Sequence, residues 1–217
     1  MFHNDDKNYQ YTIGGSSFLV KVEDLLFAVT AKHVLYNNRH SPDANEILIK
    51  YNEESRHFLP FDEMFGVNTP DTEDTDHKDI IFLKVAKSHF QSTIDTGFVI
   101  ELPGKRSLPG LKCDQLLITG FPKEISEINY ERKNIKTVRK PLMATMPSPT
   151  KYKGLFTFQY AQNNADGYNL NGLSGSPVFC LNNTNNSYRI EGMLIRRNFY
   201  LSIDIINQYI YEILKKI

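Results

Sequence analysis

Apolar residues along this chain fall in short runs broken by polar, turn-rich stretches, a rhythm of strands rather than helices. Ser17–Val22 and Leu25–Val29 are two such runs, and the Glu23-Asp24 pair between them predicts a β-hairpin. Ile47–Tyr51 and Ile80–Val85 follow as strands, while the polar and acidic interval 52–78 reads as loop. Leu102 to Gly110 carries two Pro-Gly pairs around basic residues and is read as a linker. Beyond it, Leu116–Pro122, Lys140–Met146, Gly154–Ala161, Ser176–Cys180 and Tyr188–Ile195 are extended, the last two flanking an Asn-rich turn. Only the C-terminus is helical in pattern. Ile203, Ile206, Ile210 and Ile213 make one apolar stripe, Ser202 stands at the capping position, and Asp204 and Lys215-Lys216 suit the two ends of the dipole. Two batches of short strands predict an all-β chain of two antiparallel barrels or sandwiches, divided as 1–105 and 106–217 and closed by the helix.

Composition narrows the chemistry. Lys and Arg number 25 and so do Asp and Glu, so no global field favours nucleic acid or an anionic membrane. No apolar run is long enough to span a bilayer. The first residues are polar and acidic instead of basic and then apolar, so a cytoplasmic protein is expected. Cys113 and Cys180 are enough for one disulfide, but a secreted domain of this size usually carries more, so two reduced thiols packed on strands are the preferred reading and the redox state stays open. Asn182-Asn183-Thr184 and Asn185-Asn186-Ser187 are read as a polar turn. The acidic stretch 71–76 lacks the glycine and terminal glutamate of a calcium loop, so no metal or cofactor is expected. Arg132, Lys133, Lys136, Arg139 and Lys140 form a basic cluster without interleaved aromatics, which does not make a nucleic-acid surface.

Three segments carry reactive residue types. Gly172-Leu173-Ser174-Gly175-Ser176-Pro177 puts a serine in a glycine-bracketed turn, able to aim a hydroxyl and two backbone N–H groups at one point. A serine hydroxyl needs a neighbouring base, and Thr30-Ala31-Lys32-His33-Val34 supplies a histidine. Asp79-Ile80-Ile81-Phe82-Leu83 supplies a carboxylate to orient that imidazole. Asp76 is a rival, but only Asp79 directly abuts the apolar strand. His3, His40, His57, His77 and His89 lack such a setting.

These motifs together resemble the trypsin/chymotrypsin-like serine peptidases, particularly the intracellular bacterial type. The His33 segment resembles T-A-x-H-[CV], the Asp79 segment D-I-A-L-L, and the Ser174 segment G-x-S-G-S-P. Gly15-Ser16-Ser17-Phe18-Leu19 resembles the G-[ST]-G-F-[LV] of the first strand, and Gly120-Phe121-Pro122 the G-[FWY]-P opening the second barrel. The resemblance implies two antiparallel six-stranded β-barrels of chymotrypsin type and a Ser174–His33–Asp79 triad in the crevice between them. It implies an oxyanion hole from the N–H groups of Gly172 and Ser174, and a protein or peptide substrate. The pocket floor falls on Tyr168, or on Asp166 if the loop is longer, and the pocket wall on Ile195, Arg196 and Arg197. Leu173 stands where secreted relatives carry the acid that binds a freshly cut N-terminus, so activation by N-terminal insertion is not expected. A particular partner protein is the expected substrate. The competing reading is a catalytically silent relative that binds peptides by strand addition.

Overall fold

The computed structural model describes residues 2–3, 11–36, 42–50, 58–67, 76–96, 98–102, 113–131, 134–161, 170–184 and 187–217. Its strands form two main sheets, one in each half of the chain. The first contains β1 (Phe18–Val22), β2 (Leu25–Thr30), β3 (Phe61–Gly66), β4 (Ile81–Val85) and β5 (Val99–Glu101), in the order β3-β4-β2-β1-β5. The second contains β6 (Gln115–Gly120), β7 (Lys140–Ala144), β8 (Ser148–Pro149), β9 (Leu155–Thr157), β10 (Pro177–Asn182), β11 (Ser187–Arg196) and β12 (Phe199–Ser202). Their order is β7-β6-β10-β11-β12-β9-β8. This is the all-β, trypsin-type architecture expected. Among the described residues these sheets hold five and seven strands, and three two-stranded ribbons stand beside them: Phe2–His3 with Tyr11–Thr12, Ile49–Lys50 with Phe58–Leu59, and Glu127–Asn129 with Asn134–Lys136.

The β1–β2 hairpin turns where Glu23-Asp24 predicted, with Glu23 at φ 53°. Four strands of the two sheets, β3, β5, β8 and β12, were not announced by the sequence. β3 lies inside the interval read as loop, since Asp62 and Glu63 face solvent and Lys84 pairs with Glu63 at 2.7 Å. β5 pairs with β1 in parallel, which no local pattern announces. The proposed linker, 103–110, lies outside the described residues, as do the acidic residues 71–75.

The first core runs through β1, β2 and β4, with Val20, Phe27 and Phe82 fully buried, and then continues across the molecule to Leu155, Met193, Ile195 and Leu201. Among the described residues the α-helices are α1 (Lys32–Leu35), α2 (Phe90–Thr96) and α3 (Ile203–Leu214). The α3 stripe buries Ile206, Tyr209, Ile210 and Ile213 in the first core, each worth roughly 1.5–3 kcal/mol over an exposed side chain. Ile203 is only partly buried. Ser202 occupies the N-cap position, but its side chain makes no capping hydrogen bond; the residue is buried and its N–H donates to Gly154 O at 2.8 Å. Among the described residues no helix is long and apolar enough to cross a membrane.

Cys113 and Cys180 are bonded to each other, which corrects the reading of two separate thiols. The cause is register: Cys180 pairs with Leu116 on β6, which places its Cα 5.4 Å from that of Cys113, inside the range a disulfide spans.

Tyr160 and Tyr200 pack in the second core, and burial pushes both phenols above their ordinary value of 10.0; the Glu191 carboxylate adds to the effect at Tyr200. A raised folded-state value means the unfolded chain gives up these protons first. The stability involved is therefore complete below pH 10.0 and is lost as the pH rises beyond it. Urea midpoints at pH about 9 and about 11 check this, with a lower midpoint expected at the higher pH.

Candidate active site

His33 and Asp79 meet because of sheet register. Thr30, the last residue of β2, pairs with Ile81, the first of β4, so the residues leaving one strand lie beside those entering the other. α1 is a single turn in which Val34 and Leu35 are buried, leaving Lys32 and His33 facing out. Asp79 follows a 3-10 turn, its N–H donating to Asp76 O at 3.2 Å, and precedes the fully buried Ile80. Its carboxylate holds His33 twice. Oδ1 accepts the His33 backbone N–H at 2.8 Å, and Oδ2 lies 2.6 Å from Nδ1. The carboxylate is 13% exposed and the imidazole 48%, so the acid is shielded while the outer ring nitrogen stays reachable. An Nδ1 committed to a carboxylate leaves Nε2 as the basic nitrogen.

Asp76, the rival acid, points elsewhere. Its Oδ1 lies 2.6 Å from Arg196 Nη2, joining the end of β11 to the segment just before Asp79.

Ser174 stands on a turn built by its neighbours. Leu173 is buried in the second core, and Gly172 and Gly175 adopt φ of +91° and +87°. Gly175 cannot be another residue: a Cβ there would meet Ser16 O at 2.0 Å and Thr30 Oγ1 at 2.6 Å. The turn also lies against the segment that carries the histidine. A Cβ on Gly15 would stand 2.7 Å from Val34 Cγ2 and 2.8 Å from Ser174 O, so the residue after His33 and the Ser174 carbonyl converge on one point. Ser174 itself is half-buried. Among the described residues its hydroxyl makes no hydrogen bond to the imidazole.

The amides of this turn divide cleanly. Leu173 N–H donates to Leu170 O, Gly175 N–H to Leu194 O and Ser176 N–H to Leu173 O. The N–H groups of Gly172 and Ser174 have no acceptor among the described residues. Their direction follows from peptide geometry, because N–H and C=O point oppositely across a trans peptide. Asn171 O is held by Lys123 N–H at 2.8 Å, so the Gly172 N–H faces away from the 121–123 loop. Leu173 O is held by Ser176 N–H at 2.9 Å, so the Ser174 N–H likewise faces away from the interior of the turn. Two preorganised donors flank the serine.

A sequence model of the Trypsin family matches residues 10–196, a span that takes in the first sheet, α1, the serine turn and every strand of the second sheet except β12. The chain belongs to the trypsin family. A comparison with curated proteins returns no match. Within this trypsin-family chain, the site combines a histidine held by a carboxylate, a serine on a glycine-bracketed turn, and two amides without acceptors. The turn is anchored by contacts inside the chain, with Leu173 buried at 1% exposure where secreted relatives carry an acid.

The residues expected in a specificity pocket fare unevenly. Tyr168 and Asp166 lie outside the described residues. Ile195 is fully buried in the first core, on the same face of β11 as Met193, while Leu194 between them faces the second core. Arg196 is exposed and engaged with Asp76, and Arg197 is exposed at the turn into β12. Of the basic cluster, Arg139 lies over the rings of Phe98 and Phe121, at 5.0 and 5.9 Å from their centroids. A cleft of about 340 Å³ has Phe18, Ile100, Phe121 and Phe179 in its lining and includes none of His33, Asp79 and Ser174.

Sequence reasoning missed Ser16 and Thr30. Ser16 is 3% exposed and bonded to the serine turn; the sequence placed it in the motif of the first strand but gave it no part in the site. Thr30 belongs to the histidine motif, which drew attention to His33 alone.

Proposed function

We propose that this chain is a serine endopeptidase that cleaves peptide bonds through an acyl-enzyme. The supporting observation is the double hold of Asp79 on His33, next to a serine turn with two unengaged amides. In this reading Ser174 Oγ attacks the scissile carbonyl while His33 Nε2 takes its proton. The imidazolium is stabilised by Asp79 and then protonates the leaving amine. The Gly172 and Ser174 N–H groups receive the oxyanion, and removal of one such donor typically costs roughly 3–4 kcal/mol of barrier stabilisation. Water activated by the same histidine releases the acyl group and restores Ser174. Contacts from Lys123 and Ser16 hold the turn in place.

The substrate class is protein or peptide, as for trypsin-like proteases. Disulfides persist in oxidising compartments, so the Cys113–Cys180 bond weighs against the cytoplasmic setting expected from the first residues.

A fluorophosphonate probe tests the reading. Labelling of the folded protein that disappears in Ser174→Ala is expected. A folded wild type that stays unlabelled would overturn the protease and favour a peptide-binding relative.

A further inference from the structure

One residue ties the base to the nucleophile. Ser16 precedes β1, and all four of its hydrogen-bonding contacts reach residues around the site. Its N–H donates to Ser174 O at 2.9 Å. Its hydroxyl donates to Gly172 O at 2.8 Å and accepts Phe121 N–H at 2.8 Å. Its carbonyl accepts Thr30 Oγ1 at 2.7 Å, three residues before His33. Each bond has a separate geometric consequence. The Gly172 carbonyl belongs to the Gly172–Leu173 peptide, and fixing that plane limits rotation of the neighbouring one that presents the Gly172 N–H. The Ser174 carbonyl belongs to the peptide after the nucleophile, so its bond to the Ser16 amide sets the depth of the serine against the first sheet. Phe121 N–H brings in the loop whose Lys123 N–H holds Asn171 O. Thr30 closes the circuit to the strand that delivers the histidine.

We propose that Ser16 is a positioning residue that sets Ser174 and the Gly172 N–H against His33, acting through the turn and not on the substrate. The inference rests on the serine-protease reading and adds to it a residue outside the triad. Three of the four bonds cross from the first sheet's leading segment to the second half of the chain, and no substrate is needed to form them. The hydroxyl matters most, since it alone acts as donor and acceptor at once. Alanine would leave Gly172 O and Phe121 N–H without that partner inside a buried seam.

The test compares wild type, Ser16→Ala and Ser16→Thr as full chains. A fluorophosphonate titration counts active sites, and an activated ester and a peptide anilide serve as substrates. Misplacing catalytic groups by an ångström typically costs on the order of 100-fold, so kcat per titrated site is expected to fall roughly 30- to 100-fold in Ser16→Ala. KM is expected to hold within about threefold, and a peptide boronate mimicking the tetrahedral adduct should lose affinity by the same factor as kcat. The pH profile of kcat/KM keeps its position, because the His33–Asp79 contacts are untouched. Ser16→Thr restores the hydroxyl and is expected to recover most of kcat. A purely structural role would lower the melting temperature and the number of titratable sites, leaving kcat per site unchanged; that result overturns the inference. Should Ser16→Ala not fold, Thr30→Val cuts the same circuit from the histidine side and is read identically. A wild type that never labels would sink the protease reading and this inference with it. A labelled wild type with an undiminished Ser16→Ala sinks this inference alone.

Discussion

Replacing Ser174 by alanine is expected to lower turnover by on the order of 10⁶, and replacing His33 by alanine by a similar factor. The two losses do not add. Once the hydroxyl is gone the imidazole has no proton to take, so the double variant should be about as slow as either single one. What survives, roughly 10³–10⁴ over the uncatalysed reaction, comes from binding and from the amides of Gly172 and Ser174. Asp79→Asn is expected to cost about 10⁴, since an amide facing Nδ1 selects the wrong tautomer while the fold stays intact. Steady-state kinetics on a peptide anilide, normalised to the folded fraction from circular dichroism, measure all four variants. Additive losses in the double variant would mean that Ser174 and His33 do not work as one unit.

Gly175→Ala is expected to have the largest effect on stability. Two costs coincide there: a φ of +87°, which an L side chain tolerates poorly, and a Cβ that would overlap Ser16 O and Thr30 Oγ1. Backbone strain and overpacking together place the loss at roughly 3–5 kcal/mol. For a chain of this size that is a fall in melting temperature of about 10 °C. Activity per folded molecule should fall as well, because relief of the overlap moves the Ser174 turn away from Thr30 and hence from His33. Gly66→Ala is the matched control. Its Cβ would meet only Ile81 Cδ1 at 3.5 Å, an ordinary contact, and its effect is expected to stay within about 1 kcal/mol. If Gly175→Ala melts with wild type, the close approach of the turn to Ser16 is wrong.

Both predictions draw on residues that were visible before any coordinates. A glycine-bracketed serine, a histidine leaving one apolar strand and an aspartate entering another stand out because each breaks a simple pattern. The hairpin at Glu23-Asp24 and the C-terminal stripe were visible for the same reason, their signals lying within a few residues. β3 was not, because as a flank strand it carries Asp62 and Glu63 toward water and reads as loop. Ile195 follows the alternation of its strand, sharing the first core with Met193 while Leu194 faces the second.

Local order along the chain, then, was sufficient for the β class, the strand hairpin, the terminal helix and the identity of the reactive side chains, since all of these depend on neighbours close in sequence. Asp79 was preferred to Asp76 from its place at the head of an apolar strand; the three-dimensional arrangement alone decided that Cys113 bonds Cys180 and that Ser16 joins Thr30 to Gly172 and Ser174. Apart from the Thr30 contact, which spans 14 residues, those outcomes depend on strand register and on groups meeting across 67 or more residues of chain, separations over which side-chain pattern carries no record of which carbonyl an amide will find.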